Sequence, residues 1–349
     1  MSQDKKLTKI KLDELWLNDE ISVLDTKGNK YVMLSDAHLG DGKKADDFHK
    51  NEETFETALE YYKKNNYKLI LLGDIEEFWQ FDLDHIVYRY NKSIYKKIRA
   101  FGDEQVYRVL GNHDMDWRLL PDPSKNKAVK YEGAVEAIKM KDMNGNIRIL
   151  IVHGHHGSTE SDKNSWSSRF WVRNFKKVEP LVKWLGITRH PSATKSRIVK
   201  DYERILYSWA KQSKVILICG HSHRAIFVSK SYADRLKEQI AELQAEILAN
   251  RKNKEIIEKN RKKIKKLHKK RLDEIRKKRT IDPTEQDGKP LPCYFNTGCA
   301  LYNNGITCIE IAEDEIRLVK WHRDTQKDPR FEVYERGKLS EYINEVVKQ

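Results

Sequence analysis

Short apolar runs recur along the chain, separated by polar, helix-forming stretches. They are YVMLS (31–35), KLILL (68–72), VYRVL (106–110), IRILIV (147–152), VILIC (215–219), CYFNT (293–297), ITCIEI (306–311) and IRLVKW (316–321). Each has the length of a strand and is rich in Val, Ile, Leu or Tyr. Helical spacing lies between the first of them. In residues 50–64, Phe55, Leu59 and Tyr62 fall on one face, and residues 196–212 read similarly. Strands alternating with helices, followed by a closing set of strands, predict a layered α/β fold. Gly28, in DTKGNK, predicts a turn that pairs an early strand at about 21–25 with the strand at 30–35.

The period changes after residue 228. Residues 229–282 contain neither Gly nor Pro, and Leu236, Ile240, Leu243 and Ile247 form a heptad seam. Apolar positions resume at Ile256, Ile257, Ile264, Leu267, Leu272 and Ile275. This predicts an inserted antiparallel helical hairpin turning near Asn250–Lys254, with one long helix as the alternative. The expected organisation is a core over 1–228, the hairpin over 229–282, and closing strands with a polar tail over 283–349.

Composition sharpens the picture in one place. The chain of 349 residues carries a net charge of +14. Between Lys230 and Arg279, 19 basic residues face 8 acidic ones, a net of +11, which leaves +3 for the other 299 residues. The basic character therefore belongs to the second arm of the hairpin, and charge alone does not make the whole chain a nucleic-acid binder. No window approaches the ~18–20 apolar residues of a membrane span. The N-terminus lacks an apolar signal core, so a cytoplasmic location, with peripheral membrane contact as a variant, is expected. Cys219, Cys293, Cys299 and Cys308 have no zinc-pair spacing and read as reduced core residues.

The candidate chemistry sits in the turns at the strand ends. After 31–35 come Asp36 and His38; after 68–72, Asp74 and Glu77; after 106–110, Asn112, His113 and Asp114. After 147–152 come His153, His155 and His156, and after 215–219 come His221, His223 and Arg224. Seven of the chain's 12 histidines occupy these turns. Ligands of layered α/β sheets bind outside the carboxyl ends of the strands. Oxygen and imidazole donors without thiolate suit Mn²⁺, Fe or Zn²⁺. There are more of them than one tetrahedral ion needs and enough for two ions sharing a carboxylate. A metal pair lowers the pKa of a bridging water and clamps an oxyanion, which suits attack at phosphorus. Taken singly, Asp36 and Asn112 are also good turn residues. As a set on five strands they read as a site.

The ordered set D-x-H, G-D-x-x-E, G-N-H-D, H-G-H and G-H-x-H resembles the calcineurin-like metallophosphoesterases over about residues 29–225. The resemblance implies a β-sandwich flanked by helices and hydrolysis of a phosphomonoester, phosphodiester or pyrophosphate by metal-activated hydroxide. It implies two divalent ions, Mn²⁺ first and Fe or Zn²⁺ next. Asp36, His38 and His223 would hold one and Asn112, His153 and His221 the other, with Asp74 bridging. His113 would be the general acid, oriented by Glu77. Asp114, His155 and Arg224 are expected in supporting or substrate contacts, and His156 at the rim.

Substrate is less legible. GDIEEFWQFD and G-H-x-H-R resemble the bacterial branch that includes the UDP-2,3-diacylglucosamine hydrolases, which would suit a lipid-linked or nucleotide-linked substrate. That branch commonly has Arg where this chain has His113. Residues 165–190 include an aromatic and basic helical pattern (Trp166, Phe170, Phe175, Val178, Val182, Leu185), open to reading as core, substrate cap or membrane contact. The basic arm at 251–279 reads as a solvated or partner-binding helix, a self-association surface, or a contact for nucleic acid or anionic membrane. A metal-dependent nuclease and a non-catalytic scaffold are the competing functions.

Overall fold

The computed structural model describes residues 3–43, 45–115, 117, 134–156, 192–250, 253–276, 290–323 and 330–349. Two mixed sheets form the centre. Their strands, in chain order, are β1 (Val23–Asp25), β2 (Lys30–Leu34), β3 (Lys68–Leu72), β4 (Val106–Val109), β5 (Ala137–Lys141), β6 (Ile147–Val152) and β7 (Ile216–Cys219). They continue with β8 (Ala225–Phe227), β9 (Lys230–Ser231), β10 (Tyr294–Thr297), β11 (Gly305–Ala312), β12 (Glu315–His322) and β13 (Phe331–Lys338). One sheet runs β1-β5-β6-β7-β10-β8-β9 and the other β13-β12-β11-β2-β3-β4. The parallel sets β2-β3-β4 and β6-β7-β10 aim their carboxyl ends at one side of the molecule.

The helices cover the faces that the sheets leave open. They are α1 (Gln3–Leu17), α2 (Glu52–Lys64), α3 (Leu83–Tyr90), α4 (Ile94–Arg99), α5 (Ser192–Ser213), α6 (Tyr232–Ala249), α7 (Lys254–Arg276) and α8 (Leu339–Val347). Strand alternation divides β2 between two cores. Tyr31 and Met33 join a core with the first sheet, α1, α5 and α8. Val32 and Leu34 join one with Phe55 and Leu59 of α2, Ile86 of α3 and Ile94 of α4. The result is the helix-flanked sandwich expected from the sequence. The expected cap at 165–190 lies outside the described residues.

Two expectations are corrected. The early strand does not pair with β2. Both edges of β2 are taken by β3 and β11, so no ladder is left for it. The chain crosses at Gly28 (φ +71°), and β1 pairs in parallel with β5 in the other sheet. The polar tail is also ordered structure. Phe331–Lys338 forms β13 against β12, and Leu339, Ile343 and Val346 bury one face of α8. His322, at the end of β12, is buried beside Glu332 at 3.3 Å.

The hairpin packs α6 on α7. Asn253 caps α7 by accepting the Ile256 amide at 3.2 Å. Its base is tied to β13: Arg235 pairs with Glu335, and Lys270 Nζ lies 2.6 Å from Glu332 Oε1. Hydrogen bonds from His322 and then from Lys270 outweigh partial burial and hold the Glu332 carboxyl down at about 2. A depressed carboxylate adds stability above its unfolded pKa, near 4.3, which is lost as pH falls through the folded value. Glu332→Gln is therefore expected to lower stability at pH 7 by less than about 1 kcal/mol, since the pair is part-exposed. Urea melts should show the difference from wild type shrinking between about pH 4.3 and 2.

Candidate active site

The turns after the parallel strands are locked to one another before any side chain is considered. The Asp36 amide donates to Gly73 O (3.0 Å), His38 N to Asp74 O (2.9 Å), Phe78 N to His113 O (3.1 Å) and Gly220 N to His153 O (2.9 Å). In these turns Asp36, His38, Asp74, His221 and His223 all have φ between +50° and +66°. Left-handed backbone costs a non-glycine residue of order 1–3 kcal/mol, and it persists where surroundings impose it. Five candidate ligands in that conformation mark the turns as shaped around something other than their own stability.

Each aspartate is divided between backbone and site. Asp36 Oδ2 accepts His221 N at 3.0 Å, and Asp74 Oδ1 accepts His113 N at 2.8 Å. Their other oxygens face imidazoles: Asp36 Oδ1 is 3.1 Å from His223 Nε2, and Asp74 Oδ2 is 3.0 Å from His153 Nε2. Asp36, His38 and His223 form one cluster, with one donor atom from each within 4.8 Å of the others. Asp74, His153 and His221 form a second. His38 Nε2, 3.9 Å from Asp74 Oδ2, joins the two. Asn112 is buried beside them, and its side-chain oxygen makes no hydrogen bond of good geometry; nor do Asp36 Oδ1 and His153 Nε2.

The donor set fits divalent cations. His153 Nδ1 donates to Leu72 O at 2.8 Å, which leaves Nε2 as the ligand atom. His38 Nε2 and His223 Nε2 lie 3.3 Å apart. That is about the separation of two nitrogens bound to one ion at ~2.1 Å. Burial disfavours charge on His153, but Asp74 outweighs it and raises the imidazole to about 9. Asp36 likewise raises His223 against burial. The carboxylates that hold protons on these rings would hold a cation in their place. Burial and the charge of His153 push His221 down to about 3, so it offers a neutral ring.

Glu77 organises the open side. Its two oxygens receive His38 Nδ1 at 2.7 Å and His113 Nδ1 at 2.9 Å. Burial opposes its ionisation, but the hydrogen bonds from His113 and His38 outweigh it and hold it at about 2. His113 is stacked on Trp79, centroids 4.0 Å apart, while Trp79 Nε1 donates to Asn112 O at 3.0 Å. Asp74 and the hydrogen bond to Glu77 raise the His113 pKa against the effect of burial. Trp79 thus fixes both the ring and the turn that carries it. The sequence marked it only as one of several aromatics after Asp74.

Asp114 supports the turns from beneath. It accepts Gly111 N (2.7 Å) and Ile75 N (2.9 Å), tying the 111–114 turn to the 73–77 turn. Burial lifts its carboxyl to about 7 against the pull of Arg108. Arg108 Nη1 lies 3.5 Å from it, and the guanidinium forks onto Glu76 at 2.6 and 3.0 Å. Tyr95 and Trp117 donate to Glu76, each at 3.0 Å. Glu76 and Arg108 were not singled out in the sequence; an acid beside a catalytic-type acid and an arginine inside a strand give no local signal. Asn296, at the end of β10, was missed for the same reason. It donates to Gly220 O at 2.5 Å and holds the 220–223 turn.

Three further candidates are also buried. His155 is buried next to the second cluster, its ring 5.6 Å from His153, and burial pushes its pKa well below the ordinary value. His156, expected at the rim, is buried and stacked on His155 at 4.3 Å. Arg224 is buried against Glu203 of α5, so it anchors that helix behind the site. Tyr202, from the same helix, donates to His156 O at 2.7 Å.

Carboxylate, amide and imidazole donors converging from separate strand ends suit a hydrolase that works with divalent metal ions. The sequence pattern of the calcineurin-like phosphoesterases matches residues 30–225, and the chain belongs to that family. It is a phosphoester hydrolase, and the family implies divalent metal ions as cofactors. Among solved structures it is similar to a conserved uncharacterized protein, a "predicted phosphoesterase", from Streptococcus pneumoniae TIGR4. The two are 12% identical, over 85% of this chain and 90% of that one, with a TM-score of 0.30. No curated protein matches the chain. Among the described residues no helix is long and apolar enough to cross a membrane.

Gly111 shows how tight the site is: a Cβ there would sit 2.1 Å from Asp74 Oδ1. Gly111→Ala is expected to displace Asp74 and weaken Mn²⁺ binding by ~10–100-fold, the usual scale for disturbing a ligand's support. Titration calorimetry of the folded variant checks it; unchanged affinity would contradict the placement.

Proposed function

We propose that the chain is a dinuclear phosphoesterase in which Asp36, His38 and His223 hold one divalent cation, Asn112, His153 and His221 hold the other, and Asp74 bridges. The observation that carries this reading is the pair of donor clusters joined through Asp74 Oδ2, which faces both His153 and His38. Two such cations supply Lewis acidity and an activated water for attack at phosphorus. The set of oxygen and imidazole donors favours Mn²⁺, with Fe or Zn²⁺ as alternatives.

The chain's own residues do the rest. Glu77 fixes His38 and His113 in the tautomer with Nδ1 protonated, so each presents Nε2 outward. His113, with 21% of its side chain exposed and its pKa raised, is placed to hand a proton to the leaving oxygen. Trp79 keeps its ring from swinging away. A histidine at this position supports an ordinary phosphomonoester, phosphodiester or pyrophosphate as substrate.

Asp74→Ala is expected to abolish turnover and reduce bound metal from two ions to none, measured by atomic emission on dialysed protein. An active variant retaining two metals would sink the assignment. His113→Ala is expected to keep the metals and lower kcat by ~10²–10⁴ on an alkyl phosphoester. The loss should be far smaller on a nitrophenyl ester, whose leaving group needs no proton. Equal losses on both esters would remove His113 from the acid role.

A further inference from the structure

The hairpin is the largest feature that the hydrolytic site does not use. Its inward seam is Leu236, Ile240 and Leu243 of α6 against Asn260, Ile264 and Leu267 of α7. Lys262, Lys265 and Lys269 of α7 face away from this seam; a second row at helical spacing, Lys259, Lys263, Lys266 and Lys270, runs along its flank, where the last three line a groove with Glu242 and Glu246 of α6. All seven are exposed. Only Lys262, with Glu258 at 3.0 Å, and Lys270, with Glu332, are ion-paired among the described residues.

The base of the hairpin fixes where this face stands. Arg235 holds Glu335, which is aligned through Leu318 and Ile309 with Met33 in β2. Lys270 holds Glu332, which is aligned through Lys320 with Thr307. Thr307 is two residues from the Ile309–Met33 pair and so is level with Ser35, next to Asp36. The anchors therefore climb β13 toward the strand ends that carry the site. Gln239 shares a groove with Lys270, and α6 continues to Ala249. At ~1.5 Å per residue the tip reaches ~15 Å past the level of Asp36. Lys270 stands near the level of Asp36, and the row continues from it toward the tip through Lys266, Lys263 and Lys259.

We propose that this face of α7 binds the phosphate backbone of duplex nucleic acid and holds it alongside the hydrolytic site; the binding stands on the lysine face alone, and its use in catalysis rests on the dinuclear reading above. The two lysine rows neutralise phosphates without reading bases. At 23 residues α7 spans ~35 Å, about one turn of a B-form duplex. No Phe, Tyr or Trp lies on α7 to stack single-stranded bases, and His268 is its one ring. A lipid surface is disfavoured because the lysine rows contain no apolar side chain to enter a bilayer. A second copy would bring another strongly basic helix against the first.

The test uses the full-length chain and a fluorescein-labelled 24-bp DNA duplex, read by anisotropy between 50 and 200 mM NaCl. Binding is expected with a log–log salt slope of roughly −4 to −5, for about five neutralised phosphates. K262Q/K265Q/K266Q/K269Q should weaken it at least tenfold at 50 mM and flatten the slope. The matching Lys→Arg set should retain it. Both variants should turn over bis(p-nitrophenyl) phosphate as wild type does. Undiminished binding by the Gln variant, no binding by wild type at 50 mM, or capture by phosphatidylserine vesicles in preference to duplex would each overturn the proposal. Loss of ester turnover in wild type with duplex binding intact would instead overturn the catalytic reading.

Discussion

The division of labour within Asp74 is the constraint on which the site depends. One oxygen is held by the His113 amide, and the other faces His153 and lies within reach of His38. Because the first oxygen is fixed by backbone, the second cannot turn away from the charges around it. Asp36 repeats the arrangement with the His221 amide. Two side chains are thus oriented by turns from other strands, and Asp36, Asp74 and His221 are themselves in left-handed backbone. Removing any one turn would leave the others without a reason for their shape.

Beneath this lies a buried polar layer. Asp114 joins two turns, and Arg108, Glu76, Tyr95 and Trp117 complete its charge and hydrogen bonds. Burying an arginine and two carboxylates is costly unless each is matched. Here the match is specific to one relative placement of the 73–77 and 111–114 turns. The layer contributes geometry more than net stability, and it sets the position of His113 to within what Trp79 and Glu77 allow.

The sequence made the donors legible because their periodic context was simple: an apolar run, a glycine, then an acid or imidazole. Strands 68–72 and 147–152 match residue for residue, and the hairpin turns where the polarity breaks at Asn250–Lys254. Contacts between distant turns were not legible. Glu76 looks like a neighbour of Glu77, yet one faces a buried arginine and the other two histidines. The partner of β1 was misread because local turn chemistry outweighed the fact that β2 had no free edge. β13 was missed because its burial is partial and its charged residues meet partners only in the folded chain. α1 was missed because its apolar residues do not fall on one face: Leu12 and Leu15 are buried while Leu7, Ile10 and Leu17 are exposed.

The hairpin also has a consequence for the solubility of the sandwich. Sheets end in strands with unpaired amides and carbonyls, and such edges invite pairing with other chains. One sheet ends in β9, only two residues long, and the chain passes from it directly into α6. The other ends in β13, where Glu332 and Glu335 are engaged by Lys270 and Arg235 from the same pair of helices. A single insertion thereby reaches the edge strand of each sheet. Trimming it away to obtain a smaller enzyme would strip Glu332 and Glu335 of their cationic partners and leave β9 without the helix that continues it.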